Sequence, residues 1–226
     1  MAPDEPENMK HQPPYQSLNK CCACPRLVAH RDLVAREYPN YFNRPVPAWG
    51  RQNARILIVG LAPGLHGAAN TGRPFVGDAS GDLLFAALHE AGLASHPKAD
   101  RARLSNVKIT NAVKCLPPQN APKGDEVGRC STYLQGELSL LLNPNGRKGR
   151  VVLCLGGVAF RATLKALGYV GSNKLGPFHH GAEYRLEHDH HSLIASFHPS
   201  RLNANTGRID VPMLVKVLKR AKLLAG

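Results

Sequence analysis

The chain has 226 residues, 43% of them hydrophobic, which is enough for one large domain or a domain with a small appendage. No apolar run approaches the ~18 residues that a membrane span needs, and the N-terminal stretch is polar and acidic, so we expect a cytoplasmic protein without a membrane anchor. Lys and Arg number 29 against 16 Asp and Glu, and the net charge of +13 favours a polyanionic partner, nucleic acid before an anionic membrane surface.

The N-terminal region contains an arm and then a pair of cysteines. Residues 1–18 hold four prolines and mostly polar side chains, which predicts a disordered or loosely packed arm before a single domain over residues 19–226. Cys21 and Cys24 form a C-x-x-C pair, the spacing by which two thiolates share one metal or cluster. Because intracellular proteins seldom use cysteine in disulfides, metal ligation or burial is expected for the cysteines of this chain.

A glycine-rich loop over residues 60–84 is the most informative stretch. It follows an apolar strand, residues 56–59, and leads into an Ala/Leu-rich helix that Asp78 or Ser80 is placed to cap. Glycine allows tight turns and the close approach of a ligand, and long loops in compact domains are usually functional. The alternative is that this stretch is an ordinary connecting loop without a binding role. The loop gathers imidazole, amide, guanidinium, aromatic and carboxylate side chains: His66, Asn70, Arg73, Phe75 and Asp78.

The order of apolar and helical segments predicts the fold class. Four apolar segments are typical of buried parallel strands: residues 56–59, 107–110, 151–155 and 193–196. Helical patterns lie between them and at the end of the chain, at residues 82–94, 125–142, 157–168 and about 211–225. This alternation predicts a three-layer α/β/α fold with a central four-stranded parallel sheet. Since ligands bind at the carboxyl ends of such strands, Asn111 and His198, which follow two of them, should lie near one site.

Three long motifs stand in order along the chain. They read G-L-A-P-G-L-H-G with T-G-R-P-F-V-G-D-A-S-G-D-L-L, then T-N-A-V-K-C-L-P-P, then H-P-S-R-L-N-A-N-T-G-R. Together they resemble the uracil-DNA glycosylase superfamily, and most closely its family 5, the iron–sulfur "type b" enzymes. The resemblance covers the chain from Cys21 to about residue 225, with one departure, Ala69, in the first motif. It implies a parallel sheet between helices, a [4Fe–4S] cluster and the removal of deaminated bases from DNA.

The resemblance implies a pocket for a base that is turned out of the duplex. Phe75 matches the residue that stacks on the base. The amide of Asn111 offers a donor and an acceptor, which suits the O4 and N3–H edge of a pyrimidine. His198 is the candidate donor to the base O2, where negative charge gathers as the glycosidic bond breaks. The structural alternatives are a core phenylalanine, an asparagine capping a strand end and a core histidine.

The group that positions the attacking water is less obvious. Ala62 stands where several related families have Asp, Asn or Glu, and family 5 shares this lack. Asp78 is the nearest loop carboxylate, so we expect it to orient the water or stabilise the sugar cation, with helix capping as the alternative. His66 and Asn70 are second choices for holding the water or the base. Ala62 and Gly64 are assigned to the lining of the base pocket.

The last motif resembles the wedge and backbone clamp of the family. Leu202 is the candidate wedge in the base stack, and Ser200 and Arg201, next to Pro199, are candidate phosphate contacts. Arg208 extends this predicted DNA surface. A solvated arginine-rich turn is the alternative.

Cys115 and Cys130 complete a set of four thiolates with Cys21 and Cys24. Such a set holds either zinc or a [4Fe–4S] cluster. The wide spacing of the second pair favours the cluster, and the resemblance adds most of the weight. Cys22 could replace either of its neighbours, although the C-x-x-C pair fits better.

The sequence therefore predicts a monomeric DNA glycosylase that removes uracil and other deaminated bases and leaves an abasic site. The side chains assigned to the site include no lysine for a Schiff base, so strand cleavage is not expected. Two alternatives remain. One is a non-catalytic Fe–S protein that binds damaged bases in nucleic acid, which Ala62 favours, and the other is a zinc-dependent hydrolase.

Overall fold

The computed structural model describes residues 18–142, 149–169, 175–186 and 190–226. The predicted N-terminal arm lies outside these ranges except for its last residue, Leu18, which is buried. The helices are α1 Pro25–Glu37, α2 Ala68–Thr71, α3 Ala79–Glu90, α4 Gly124–Leu141, α5 Gly157–Ala166, α6 Arg201–Asn205 and α7 Val211–Ala225, with a 3-10 turn at Pro118–Asn120. The strands are β1 Trp49–Gly50, β2 Ile56–Gly60, β3 Val107–Asn111, β4 Val151–Leu155, β5 Glu183–Arg185 and β6 Ser192–Ser196.

The sheet has the order β1-β3-β2-β4-β6-β5. Its inner strands β3, β2, β4 and β6 run parallel, which confirms the predicted strands. The structure adds short antiparallel edge strands, β1 and β5. In the register of the sheet, Gly60 pairs with Asn111 and Leu155 pairs with Ser196, so the carboxyl ends of the parallel strands share one edge.

Helices cover both faces of the sheet, as the fold prediction requires. Every residue of β2, β4 and β6 is buried, because the two faces of a strand here meet two separate apolar layers. Ile56 and Ile58 pack with α3 and α7, whereas Leu57 and Val59 pack with α4 and α5. The three-layer α/β/α prediction is confirmed. None of the helices in the described ranges is both long and apolar enough to cross a bilayer.

Candidate active site

The carboxyl edge of the sheet opens into a cavity of about 590 Å³, a volume typical of small-molecule sites. The cavity is lined by many of the predicted site residues: Ala62, Gly64, His66, Phe75, Asp78, Asn111, His198, Ser200 and Arg201. Asn70, Pro199, Leu202 and Arg208 are not part of its lining. Three separate chain segments, after β2, β3 and β6, thus contribute to one site.

Asn111 and Phe75 meet above Gly60 at the end of β2. A Cβ atom at Gly60 would lie 2.5 Å from Oδ1 of Asn111 and 2.6 Å from Cε2 of Phe75, so only glycine leaves room for both side chains. Asn111 is 3% exposed, and its Oδ1 is buried without a hydrogen-bond partner among the residues that the structure describes. A buried amide oxygen without a donor is costly, so this group is available to a ligand that supplies an N–H.

The backbone of Phe75 has an unusual conformation that fixes the ring in the cavity. Its φ is 58°, in the left-handed region that bulky residues rarely adopt. Gly81 in α3 packs against this segment, and a Cβ there would collide with the carbonyl oxygen of Phe75. Strained backbone of this kind is often found at functional sites, where the surrounding structure maintains it.

His198 follows β6, and its ring lies beside that of Phe75 in the cavity lining. The two rings are tilted by 35°, with their centroids 5.8 Å apart. Nδ2 of Asn203 donates to the carbonyl oxygen of His198 at 2.8 Å and holds this segment in place. Burial lowers the pKa of His198 below its ordinary value, and the negative charge of Asp78 partly opposes that shift. His198 is therefore a neutral imidazole at neutral pH.

Asp78 caps the helix that follows the glycine-rich loop, and it also lines the cavity. It is the N-cap of α3, and its Oδ1 accepts a hydrogen bond from the backbone N–H of Gly81 at 2.9 Å. Its Oδ2 lies against the glycine-rich loop, 3.2 Å from the position that a Cβ at Gly64 would take, and a Cβ at Gly67 would collide with it. One oxygen thus anchors the carboxylate, and the second lies beside the cavity lining.

The second-choice residues of the loop differ in their placement. His66 is exposed at the cavity, and its Nδ1 is 2.9 Å from the hydroxyl of Tyr41. Asn70 is not brought to the cavity; its backbone N–H donates to Gly67 and its carbonyl accepts from Phe42.

Sequence reasoning did not assign two asparagines to the site. Asn120 lines the cavity from the 3-10 turn. Asn203 braces the segment that carries His198. The signal for Asn120 was its position two residues after the proline pair of the second motif, and Asn203 lay inside the third motif.

The predicted DNA-contacting residues lie around the mouth of the site. Leu202, on α6, is 73% exposed, which is unusual for a large apolar side chain. Ser200 caps α6 by accepting a hydrogen bond from the backbone N–H of Asn203 at 3.3 Å. The Arg208 guanidinium lies 4.5 Å from the ring centroid of Phe197 and lines a neighbouring cavity that His198 also borders.

Cys21, Cys24, Cys115 and Cys130 line a second cavity, which shares no lining residue with the first. Cys22 is exposed and its thiol lies 3.5 Å from the carbonyl oxygen of Lys20 instead. The fold thus brings together the four cysteines that were proposed as one ligand set.

These four thiols are a possible donor set for a metal. Over the described ranges, no three His, Cys, Asp or Glu side chains already lie close enough together to hold one metal ion. Four thiols around one cavity are the donor set of either zinc or a [4Fe–4S] cluster. Burial raises the pKa of Cys115 to about 12 and of Cys130 to about 11, so ligation as thiolates would release protons.

Two ion pairs join the segments that carry these thiols. Arg26 Nη2 lies 2.7 Å from Glu126 Oε2, linking the start of α1 to the start of α4. Lys114 Nζ lies 2.7 Å from Glu137 Oε1, and both of these side chains are fully buried. A buried pair of this kind is strongly destabilising to break, so it fixes the loop after β3 against α4.

Known proteins of one superfamily match almost the whole chain. Residues 47–222 match the model of the Uracil DNA glycosylase superfamily. The chain is 46% identical over 220 residues to the type-5 uracil-DNA glycosylase of Thermus thermophilus, covering 93% of this chain and 96% of that protein. It is 44% identical over 218 residues to the type-5 enzyme of Pyrobaculum aerophilum, covering 92% and 91%. A type-4 uracil-DNA glycosylase of the same organism is 33% identical over 155 residues, covering 68% of this chain and 64% of that protein.

Proposed function

The chain belongs to the uracil-DNA glycosylase superfamily, within its type-5 family, and we propose that it hydrolyses the N-glycosidic bond of uracil in DNA and leaves an abasic site. The observation that carries the proposal is the meeting of Phe75, Asn111 and His198 in one cavity large enough for a base. The same pocket is proposed to accept other deaminated bases. We further propose that the chain acts inside the cell as a monomer.

Recognition of the base begins with its removal from the duplex, which costs a few kcal/mol. Stacking of the base on the ring of Phe75 offsets part of that free-energy cost. Oδ1 of Asn111, buried and without a hydrogen-bond partner in the described part of the chain, accepts from the N3–H of uracil, and the amide Nδ2 donates to O4. Uracil thus supplies a donor to this buried oxygen.

His198 stabilises the leaving base. When the bond to the sugar breaks, negative charge develops on the base O2, and a fixed N–H donor is worth most at that stage. The neutral imidazole provides such a donor without placing a full charge in a buried site. The hydrogen bond from Asn203 to the backbone of His198 maintains the direction of the ring.

Asp78 orients the water that attacks the sugar. Its Oδ1 is held by Gly81, so Oδ2 can accept from a water near the glycine-rich loop. The negative charge also favours the cation-like sugar of the transition state. Asn120, which lines the same cavity, is a second polar group for this water.

DNA is held by the rim of the site. Leu202 is the exposed apolar side chain that would enter the base stack, and Ser200 and Arg201 would contact the flanking phosphates. Arg208 extends the contact on the other side of His198. We propose no lyase step, because the Lys114 ammonium is buried in its ion pair with Glu137.

We assign a [4Fe–4S] cluster to Cys21, Cys24, Cys115 and Cys130. When bound, the cluster supplies a cross-link between α1, the loop after β3 and α4. Because Cys115 lies in the segment that begins with Asn111, that cross-link would stabilise the base pocket. Zinc in place of iron would contradict this assignment and is checked by elemental analysis.

The function is tested with a duplex that contains a single uracil. Incubation with the protein should release uracil, and alkali should then cut the strand at the abasic site. Without alkali the strand should remain intact, which separates a glycosylase from a lyase. If the protein binds this DNA tightly but releases no base, it is the non-catalytic binder instead.

The lowered pKa of His198 gives a pH prediction. Because burial disfavours the cation, His198 should titrate below the ordinary value of about 6.5 and stay neutral as the pH falls to that value. The unfolded chain then binds the proton first, so the stability contributed by neutral His198 is present above the unfolded pKa and declines as the pH falls through it. Histidine ring signals followed by NMR against pH would measure this, with His198→Gln assigning the signal. Titration at or above the ordinary value would contradict the prediction.

A further inference from the structure

The face of α1 that borders the cysteine cavity ends at Arg31, a positively charged residue to which no role has been assigned so far. Cys24, Leu27 and Val28 line this cavity, and Arg31 continues the same helix face by three and four residues. Nη1 of Arg31 is buried and has no hydrogen-bond partner in the described part of the chain. A buried guanidinium nitrogen without an acceptor is costly, so its position indicates an anionic partner that is added later.

The net charge of the proposed cluster is consistent with an anionic partner for Arg31. Four thiolates carry more negative charge than an iron–sulfur core carries positive charge, so a thiolate-bound cluster is a buried anion. Val34, three residues beyond Arg31 on α1, packs in one apolar cluster with Leu116, the neighbour of Cys115. The positive charge of Arg31 therefore lies close to the loop that carries one of the proposed cluster ligands.

A second arginine lines the cavity itself. Nη1 of Arg129 lies 3.5 Å from the carbonyl oxygen of Ala23, the residue before Cys24. However, Arg129 is exposed and also pairs with Asp125 at 3.2 Å, so solvent and that carboxylate weaken its effect.

We propose that Arg31 is a positioning residue for the cluster: its guanidinium donates to the cluster or to the Cys115 thiolate and balances the buried negative charge. Arg129 makes a smaller contribution of the same kind. This inference rests on the [4Fe–4S] assignment made above. It predicts that the charge of Arg31 stabilises the bound cluster against loss and makes its reduction easier.

The test compares holoprotein variants purified without oxygen. Bleaching of the visible absorbance in excess EDTA should be about ten- to one-hundredfold faster in Arg31→Gln than in the parent protein. Arg129→Gln should bleach only slightly faster. Arg31→Lys, which keeps the positive charge, should stay close to the parent. Arg36→Gln is the matched control, since Arg36 is an exposed arginine on the same helix.

The midpoint reduction potential, followed with redox dyes, is a second readout that a packing role would not move. It should become more negative in Arg31→Gln and remain near the parent value in Arg31→Lys. Bleaching of Arg31→Gln at the parent rate would overturn the proposal, as would equal losses in the Gln and Lys variants. If Arg31→Gln is isolated without iron, iron retained by Arg31→Lys supports the proposal and iron absent from both contradicts it. A parent protein without iron would instead refute the cluster assignment.

Discussion

Asp78→Asn is expected to slow uracil release by about 10²- to 10⁴-fold, the usual contribution of a positioned catalytic base. Asparagine retains a side-chain oxygen that can accept from Gly81, so α3 keeps its cap. What the variant loses is the negative charge that orients the water and favours the sugar cation. Single-turnover release of uracil from a duplex, measured beside thermal unfolding, should show a large loss of rate with little loss of stability.

Two further variants separate catalysis from capping. Asp78→Ala should lose the same activity and in addition about 1 kcal/mol of stability, because no side chain then accepts from Gly81. Asp210→Ala is the matched control: Asp210 caps α7 by accepting from Met213 at 2.8 Å and lies outside the cavity lining. It should lose a similar amount of stability and keep the parent rate. If Asp78→Asn keeps the parent rate, Asp78 does not orient the attacking water, and that role would belong to Asn120 or to backbone groups.

Asn111→Asp is expected to reduce uracil excision by at least about a hundredfold, because a site built to hydrogen-bond its substrate discriminates strongly when one polar partner is wrong. The carboxylate has no N–H to donate to the uracil O4 and repels that oxygen. The amino group of cytosine is a donor at the same position, so the preference for uracil over cytosine should also fall. Rates on matched U·G and C·G duplexes measure both effects.

Asn106→Asp is the control for this change. Asn106 lies just before β3, at the opposite end of the strand that Asn111 completes, and its Oδ1 accepts from the backbone N–H of Arg55 at 2.9 Å. Aspartate keeps that acceptor, so uracil excision should remain at the parent rate. Equal activity in Asn111→Asp and the parent would remove Asn111 from base recognition.

The cysteines illustrate what sequence reasoning could and could not supply. The C-x-x-C spacing identified Cys21 and Cys24 because two thiolates one turn apart can share a metal. Cys115 and Cys130 joined them through the family resemblance, since nothing in their spacing brings them near the N-terminal pair. Only packing of α1 against α4 and the loop after β3 places these thiols around one cavity. The sequence likewise gives no signal that Nη1 of Arg31 is buried without a hydrogen-bond partner among the described residues, because burial of a single atom depends on all of its neighbours.

Sequence patterns were sufficient to predict the layers of this protein and the segments that carry its chemistry. Largely apolar runs separated by helical patterns predict a parallel sheet covered on both faces, because a strand that is buried on both sides has few polar positions. The fold added what that prediction lacked: the contact of Asn111 and Phe75 over Gly60, the tilted ring of His198 beside Phe75, and the place of Asn120 rather than Asn70 at the cavity. Local pattern fixes burial and secondary structure residue by residue. Contacts between distant segments depend instead on strand register and helix packing, which no single segment encodes.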